Sequence, residues 1–379
     1  MLTTHYHRLT TIVYGRCRCL PLLGPFLKFI PDIIGRLKSL HINISVRGLC
    51  TITAYLPHPA PLLEVLSIHG YYGLLASTFL NGDISSSRKL LLEDIYTELP
   101  WRNMKNLTSL KLVNSSPISV RQFLDFFESA PHLRKIHLSS TTPTSGAQNG
   151  RLVSLAYLKR MYTCGLPYSL LFDHLLVPVG ARVTIQVDKL SPPAEPPPRF
   201  LGNLRNLSNF TTIKLGGGLP SVLFSGPNGE VRVVPQVSGT CLMLGFLAHF
   251  DTSQTERLEI KCGNSPSSDP LYRALLPMKD LRTLALTQCE DPRAFVRALH
   301  PDISSSGAVV CPKLETLVIE CGGEFDINDV VGTTAARASR GAKLKNVRIV
   351  PFHKTVNSRH DVFVLKKHTL RVESRRDKQ

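Results

Sequence analysis

The stretch Leu281-Arg282-Thr283-Leu284-Ala285-Leu286-Thr287-Gln288-Cys289 decides the fold. Its spacing is L-x-x-L-x-L-x-x-C. Alternate side chains of a short strand point to opposite faces, so the leucines turn inward while Thr283 and Ala285 point outward. A single unit of this kind cannot bury its own apolar face. The spacing therefore predicts further strands of the same pattern, stacked beside this one.

The same spacing recurs along most of the chain. Matching segments are Ile34–Ile42, Leu63–Ile68, Leu107–Asn114, Leu133–Leu138, Phe210–Leu215, the residues around Leu258–Ile260, Leu314–Ile319 and Leu344–Ile349. Weaker strands are indicated at Lys89–Leu92, Leu152–Leu158 and Arg182–Val187. Most steps between strands are about 20–33 residues, irregular but near the period of leucine-rich repeats.

Helices are predicted in the gaps between the strands. Ser119 can cap a helix over Val120–Ala130, which Pro131 ends. Others are predicted from Asp291-Pro292, over Asp326–Arg340 with Gly341 as its stop, and in the shorter segments Tyr168–Leu176 and Cys241–Phe250. This order predicts an α/β fold, an irregular leucine-rich-repeat solenoid with a curved, mostly parallel sheet on the concave side and helices on the convex side.

The predicted solenoid covers residues 25–350. Residues 1–24 show no repeat and are predicted to form a poorly defined N-terminal cap, and residues 351–379 a basic C-terminal cap and tail. The proline-rich segment 191–199 predicts a stiff, extended loop. Asn228-Gly229 lies between apolar runs, so a β-hairpin is predicted near 222–236 as an insertion.

Charge and cysteine content bear on partners and compartment. The 379 residues carry a net charge of +17, which favours acidic partners such as a protein surface, nucleic acid or an anionic membrane. The alternative is scattered charge that only aids solubility, and the lack of a long Lys/Arg block with interleaved aromatics favours it.

An odd number of cysteines, nine, indicates reduced thiols and an intracellular location, cytoplasmic or nuclear. No apolar run of about 20 residues or secretory signal is seen, so no membrane association is expected.

The sequence offers no catalytic, cofactor or metal site, and we expect the protein not to be an enzyme. Cys262, Cys289 and Cys321 follow repeat strands, and Asn114 holds an equivalent place, where such residues bond the turn backbone. A metal site is the alternative, but C-x-x-C pairs are lacking. His69, His137 and His174 are not linked to a nucleophile by any local motif. Gly216-Gly217-Gly218 lacks the lysine of a phosphate-binding loop.

Candidate binding residues follow from strand geometry, since the outward positions between the inner leucines face the ligand on a concave sheet. They are His41, Ser67, Lys111, His137, Lys214, Glu259, Thr283, Ala285, Val318 and Arg348. Between Lys111 and Lys261 this row is mainly basic, which indicates an acidic protein ligand. An ordinary solvated strand face is the alternative.

One segment carries a family resemblance. Thr97–Leu110, which contains TELPWRNM, resembles the repeat region of fungal (mushroom-type, Agaricomycete) F-box proteins. Further similar segments are Ser119–Leu138, Asp173–Asp188, the hairpin at Ser225-Gly226-Pro227, and Gly341–Val350. The resemblance runs from roughly Pro25 to Glu373.

The resemblance implies a substrate-recruiting subunit of a Skp–cullin ubiquitin ligase, in which an N-terminal F-box binds the Skp-type adaptor and the repeats hold the target. An F-box begins with Leu-Pro-x-Glu-Ile/Leu and contains a tryptophan. This chain has neither that phrase nor room for the bundle before Pro25, and its one tryptophan, Trp101, lies within the repeats. Either the sequence is truncated or the protein binds targets without recruiting the ligase.

The expected function is therefore a non-catalytic, monomeric protein-binding module without cofactors. It would be an F-box-like substrate receptor, with the adaptor as partner only if an F-box lies upstream, or a truncated form that binds targets alone. The alternative is a basic scaffold that binds nucleic acid or another anionic surface.

Overall fold

A computed structural model describes most of the chain. The described residues are 9–15, 33–44, 56–75, 79–97, 104–115, 118–140, 143–144, 150–164, 169–187, 209–216, 221–235, 243–244, 247, 250–261, 267–303, 308–321, 326–351 and 371–374. The chain divides into two compact units: unit 1 comprises residues 1–186 with 200–206, and unit 2 comprises 187–199 with 207–379.

Unit 1 is built on a parallel sheet. Its main strands, each paired with the next, are β1 Leu9–Gly15, β2 Leu37–Ile44, β3 Val65–Leu75, β4 Lys89–Thr97, β5 Ser109–Val113, β7 Lys135–Ser139, β10 Arg160–Cys164 and β12 Arg182–Val187. Two parallel pairs of very short strands lie apart: β6 Ile118–Ser119 with β8 Pro143–Thr144, and β9 Val153–Ser154 with β11 Leu175–Leu176.

Unit 2 contains a mixed sheet. Its strands in chain order are β13 Thr212–Leu215, β14 Val222–Gly226, β15 Gly229–Pro235, β16 Arg257–Lys261, β17 Thr283–Cys289, β18 Thr316–Cys321, β19 Asn346–Pro351 and β20 Arg371–Ser374. The pairs β13–β14 and β14–β15 are antiparallel, and β13 also pairs in parallel with β16. From β16 to β20, each strand pairs in parallel with the next.

Each leucine position of the repeat pattern aligns with its equivalent on the neighbouring strand. In unit 1, Leu66, Leu90 and Leu110 share one register row and are at most 1% exposed. In unit 2, Leu258, Leu284 and Leu317 form the corresponding row and are equally buried. Burying such side chains contributes roughly 1.5–3 kcal/mol each, so these rows stabilise both sheets.

A repeated hydrogen bond fixes the spacing of the strands. The carbonyl oxygen of Arg88 accepts the N–H groups of both Thr108 and Ser109, at 2.9 and 3.1 Å. The Thr108 carbonyl does the same for Arg134 and Lys135 of the following strand. In unit 2 the carbonyls of Thr211, Glu256, Arg282 and Glu315 each accept two consecutive N–H groups in the same way. Equivalent residues are therefore held in one register from strand to strand.

Helices occupy several of the connections. They are α1 Val120–Ser129, α2 Ser169–Phe172, α3 Ser268–Leu275, α4 Arg293–Ala298 and α5 Ile327–Ser339, with 3-10 helices at Phe79–Gly82 and Pro301–Ile303. A capping box starts α1, because the Ser119 hydroxyl accepts the Gln122 N–H while the Gln122 side chain accepts the Ser119 N–H. Asp326 caps α5, and Gly341, with φ of +80°, follows its end.

The architecture is thus mixed α/β, dominated by mostly parallel sheet with few helices. The predicted α/β class and mostly parallel sheet are confirmed. The predicted helix over Tyr168–Leu176 shortens to α2, because β11 takes its last residues. Helix α3 was not predicted, and the helix expected over Cys241–Phe250 lies mostly outside the described residues.

Three strand assignments differ from the sequence expectation. The strand placed over Leu152–Leu158 is wrong, since the sheet strand is β10, Arg160–Cys164, and only the short β9 falls within the predicted segment. Strand β1 lies within residues 1–24, where no repeat was expected, and pairs in parallel with β2. The hairpin of β14 and β15 is present, but Gly226 pairs with Gly229, so its two-residue loop is Pro227-Asn228 rather than Asn228-Gly229.

Candidate binding face of the sheet

The face residues predicted in unit 1 lie in one register row. His41 pairs with Ser67, and Lys111 pairs with His137. Leu91 occupies the intervening position, in register with both Ser67 and Lys111. All five side chains are half-buried, whereas the alternating leucines on the same strands are buried. One face of the sheet therefore carries the core and the other remains accessible to solvent.

The face residues predicted in unit 2 form a second row. Lys214 pairs with Glu259, Glu259 with Ala285, Ala285 with Val318, and Val318 with Arg348. Lys214 and Arg348 are exposed, and Glu259 and Val318 are half-buried. Thr283 lies on the same face in the adjacent row, in register with Arg257 and Thr316.

Ala285 departs from the expectation of an accessible side chain. It holds the predicted register position but is only 5% exposed. Its methyl group is much shorter than the Glu259 and Val318 side chains on either side, which explains why it is covered. Ala285 therefore stands in the predicted row but offers little accessible surface in the free chain.

Several members of the row in unit 1 were not among the predicted face residues. They are Ile12, which pairs with His41, and Leu91, Tyr162 and Thr184, of which Tyr162 pairs with His137 and with Thr184. The strand of Tyr162 was overlooked because Met161 and Thr163 stand at its inward positions instead of leucines. The signal that could have located it is Leu158-x-x-Met161, in which methionine replaces the second leucine of the repeat pattern.

An aromatic pair marks this face of unit 1. The rings of His137 and Tyr162 stack with centroids 4.4 Å apart and planes 27° apart. The Tyr162 hydroxyl donates a hydrogen bond to the Gln186 side-chain oxygen, which fixes the ring. Burial and the nearby Lys111 ammonium lower the pKa of His137, and the Glu93 carboxylate opposes them. The imidazole is therefore neutral at neutral pH and presents a flat, uncharged surface.

We expect His137 to titrate below its usual value of about 6.5. The unfolded chain then binds a proton before the folded chain does, so the stability contributed by neutral His137 is present above about pH 6.5 and is lost on acidification. NMR titration of the His137 ring, assigned with His137→Gln, measures this. Lys111→Gln removes the nearby positive charge and should raise the pKa of His137, whereas an unchanged pKa would contradict the contribution of Lys111 and leave burial as the cause.

The two faces differ in their charge balance. In unit 1, Glu93 lies 3.5 Å from His69 and 3.9 Å from Lys111, and the row beside it carries Lys89, Lys135, Arg160 and Arg182. In unit 2, Glu259 lies 2.8 Å from Lys214 and 2.6 Å from Arg257. Burial acts to raise the pKa of Glu259, but hydrogen bonds from Lys214 and Arg257 outweigh it and lower the pKa. An excess of positive charge is therefore concentrated on unit 1.

Polar groups at the strand ends are explained by internal contacts. His69, Glu93 and Asp94 have potential ligand atoms within 4.8 Å of one another, but the Asn114 side chain donates to Asp94 at 2.9 Å and His69 faces Glu93. The Asn114 side chain thus bonds across to Asp94 of the neighbouring strand β4. These contacts account for the cluster without a metal ion, and its geometry alone does not indicate a metal site.

The cysteine and histidine candidates also have structural surroundings. Cys289 and Cys321 are in register on adjacent strands as buried thiols, and burial raises the pKa of Cys321. Cys262 lies outside the described residues. His174 Nδ1 lies 2.9 Å from the Arg151 carbonyl oxygen, which anchors the loop that precedes β9.

These features define a class: a mixed α/β protein with a buried leucine ladder beneath an accessible sheet face. No family model matches the chain, and no curated protein matches it. Within the described residues, every helix is too short or too polar to cross a bilayer.

Proposed function

We propose that the chain is a non-catalytic protein-binding module of the leucine-rich-repeat type, and that the accessible sheet face holds the target. The observation that carries the proposal is the register row of half-buried side chains above the buried leucines. A curved solenoid would present this row as its concave surface, as the repeat spacing suggests.

The composition of the face supports protein contact. Parallel sheets are usually covered on both faces, so an accessible face of this kind is suited to a partner. In unit 1 it presents Leu91, Tyr162 and His137 together with Lys111, a mixture of apolar, aromatic and charged groups typical of protein interfaces. In unit 2, Val318 lies between covered Ala285 and exposed Arg348. A partner with acidic groups around an apolar centre would match unit 1.

The target-binding role can be tested with a matched pair of substitutions. Leu91→Glu places a carboxylate within the face, whereas Leu152→Glu makes the same change at a side chain outside the register row that is already 52% exposed. Proteins captured by the tagged wild-type chain and by Leu152→Glu should be depleted at least about ten-fold with Leu91→Glu, since a hot-spot residue at an interface centre contributes about 2 kcal/mol or more. Circular dichroism checks the fold of both variants. Retention of every captured protein by folded Leu91→Glu would sink the proposal.

The ligase role needs a separate test. We propose that the protein is an F-box-like substrate receptor of a Skp–cullin ligase, or a form that holds targets without recruiting the ligase. Recovery of purified Skp-type adaptor by the chain supports the first. Target capture without adaptor recovery supports the second, and recovery only by a longer chain with an upstream F-box assigns adaptor binding to that longer chain.

A further inference from the structure

The beginnings of the strands of unit 1 carry a row of cations. Lys89, Ser109, Lys135, Arg160 and Arg182 are consecutive partners in one register row. Basic residues also stand one position earlier on several of these strands. The exposed cations of both positions, which we call the basic edge, are Arg88, Lys89, Arg134, Lys135, Lys159, Arg160 and Arg182.

The backbone enforces this alignment. The carbonyls of Arg88 and Arg134 each accept the paired N–H groups that begin the next strand, and the Lys159 carbonyl accepts the Arg182 N–H. Neighbouring strands lie about 4.8 Å apart, so the four steps from β4 to β12 place the basic edge along roughly 19 Å. No ion pair joins any of these seven cations to a carboxylate among the residues that the structure describes.

Two adjoining grooves follow the basic edge. One, of about 680 Å³, is lined by Arg134, Lys159, Arg160 and Arg182 together with Tyr157. The second, of about 800 Å³, is lined by Arg88, Lys89 and Thr108, and shares Arg134 and Tyr157 with the first. Glu64 also lines the second groove but lies 3.6 Å from Lys38, which balances its charge. The two grooves together form one cationic surface, long enough along the basic edge to contact several units of an extended polymer.

An exposed aromatic pair stands where the grooves meet. Tyr157 is 53% exposed, and its ring centroid lies 5.3 Å from that of His132, with the planes tilted by 50°. Two residues further along the strands of Lys135 and Arg160, the stacked rings of His137 and Tyr162 lie on the same face. Proteins bind single-stranded nucleic acids with two elements: cations that contact the phosphate backbone and aromatic rings on which the bases stack.

We propose that the basic edge binds single-stranded nucleic acid, with phosphates on its arginines and lysines and a base stacked on Tyr157. An acidic peptide would use the same cations, but it gives no role to an exposed tyrosine between them. The basic edge and Tyr157 lie beside the central row rather than within it, and the inference does not rest on the protein-binding function proposed for that row.

Salt dependence is the first test. A fluorescein-labelled ten-nucleotide oligouridylate is titrated with the full chain and followed by anisotropy. If about four phosphates are neutralised, the logarithm of affinity falls against the logarithm of salt with a slope of about −2.8, or about 50-fold between 50 and 200 mM. Binding that is weak and flat at every salt concentration would overturn the proposal.

Matched variants locate the site. Arg134→Glu combined with Arg160→Glu should reduce affinity at least about 30-fold, because two phosphate contacts become repulsive. Arg121→Glu combined with Lys279→Glu makes the same change in net charge at exposed residues outside the grooves, on α1 and in the loop after α3, and should alter affinity less than about three-fold. Equal losses for both pairs would mean that net charge alone drives binding, which overturns a site at the basic edge.

Stacking is tested separately from charge. Tyr157→Ala should weaken binding about ten-fold, and Tyr157→Phe should restore most of it, since stacking requires the ring and not the hydroxyl. Oligoglutamate of ten residues serves as the competing probe. Oligoglutamate binding as tight as the oligouridylate, with neither affected by Tyr157→Ala, would identify an acidic-protein surface and overturn the proposal.

Discussion

Replacing Arg337 with methionine should lower the free energy of unfolding of unit 2 by about 3–5 kcal/mol, because it leaves several buried carbonyl oxygens without a hydrogen-bond donor. Arg337 lies on α5 and is 0% exposed. Its Nη1 donates to the carbonyl oxygens of Val310 and Leu299, at 2.7 and 3.4 Å, and its Nη2 donates to that of Cys311 at 2.8 Å. The guanidinium thus joins α5 to the C-terminal end of α4 and to the loop before β18.

The loss should be large because the acceptors remain buried. Methionine fills much of the volume but donates no hydrogen bond, and each unsatisfied buried carbonyl costs about 1–3 kcal/mol. The neighbouring Cys311 thiol does not serve as a counter-ion, because burial raises its pKa to about 12 despite the attraction of Arg337. Burial also lowers the pKa of Arg337, and the carbonyl oxygens of Val310, Cys311 and Leu299 stabilise the cation.

Two further variants give the comparison. Arg337→Lys retains the charge but cannot reach all three carbonyls in the geometry of the guanidinium, and should cost an intermediate amount. Arg340→Met removes an arginine one turn later whose side chain is 37% exposed and pairs with Asp302 at 2.6 Å, and should cost less than about 1 kcal/mol. Urea unfolding followed by circular dichroism measures all three. An Arg337→Met midpoint equal to that of Arg340→Met would contradict the role of Arg337 as a buried anchor.

Helix α5 shows what its sequence can and cannot reveal. Asp326 and Gly341 mark its ends correctly, because capping and left-handed stops depend on local residues. Arg337, in contrast, stands in the last turn, where an exposed arginine near the negative end of the helix is the usual expectation. Its burial depends on carbonyls 26 to 38 residues earlier in the chain, which local pattern does not indicate.

The sheets were predictable wherever leucine filled the inward positions. Strand β10 was not predicted because Met161 and Thr163 stand at its inward positions in place of leucine. Tyr162, which lies on this strand, was therefore not among the predicted face residues. The basic edge was not predicted for another reason. Its cations look scattered in sequence, since Lys135, Arg160 and Arg182 are more than 20 residues apart, and only the shared register places them side by side. Cations on different strands cluster only when the strand register aligns them, and amino-acid composition carries no information about register.

Replacing Gly216 with alanine should also destabilise unit 2, by about 3 kcal/mol or more, a loss expected only where a specific steric conflict exists. Gly216 follows β13 with φ of +87°, and its N–H donates to the Ser221 carbonyl at 2.8 Å. A methyl group there would overlap the Lys261 carbonyl oxygen at the end of the neighbouring β16. The left-handed backbone adds about 1–2 kcal/mol of strain for any residue with a Cβ.

Two other glycines separate these contributions. Gly341 shares the left-handed conformation, with φ of +80°, but has open space around the added methyl group, so Gly341→Ala should cost only about 1–2 kcal/mol. Gly332 lies inside α5 with equally open space, so Gly332→Ala should stabilise the protein by up to about 1 kcal/mol. Urea unfolding of the three variants gives the order Gly332→Ala, Gly341→Ala, Gly216→Ala from most to least stable. Equal losses at Gly216 and Gly341 would mean that β13 and β16 separate readily, and the close approach of these strands would then not be a source of stability.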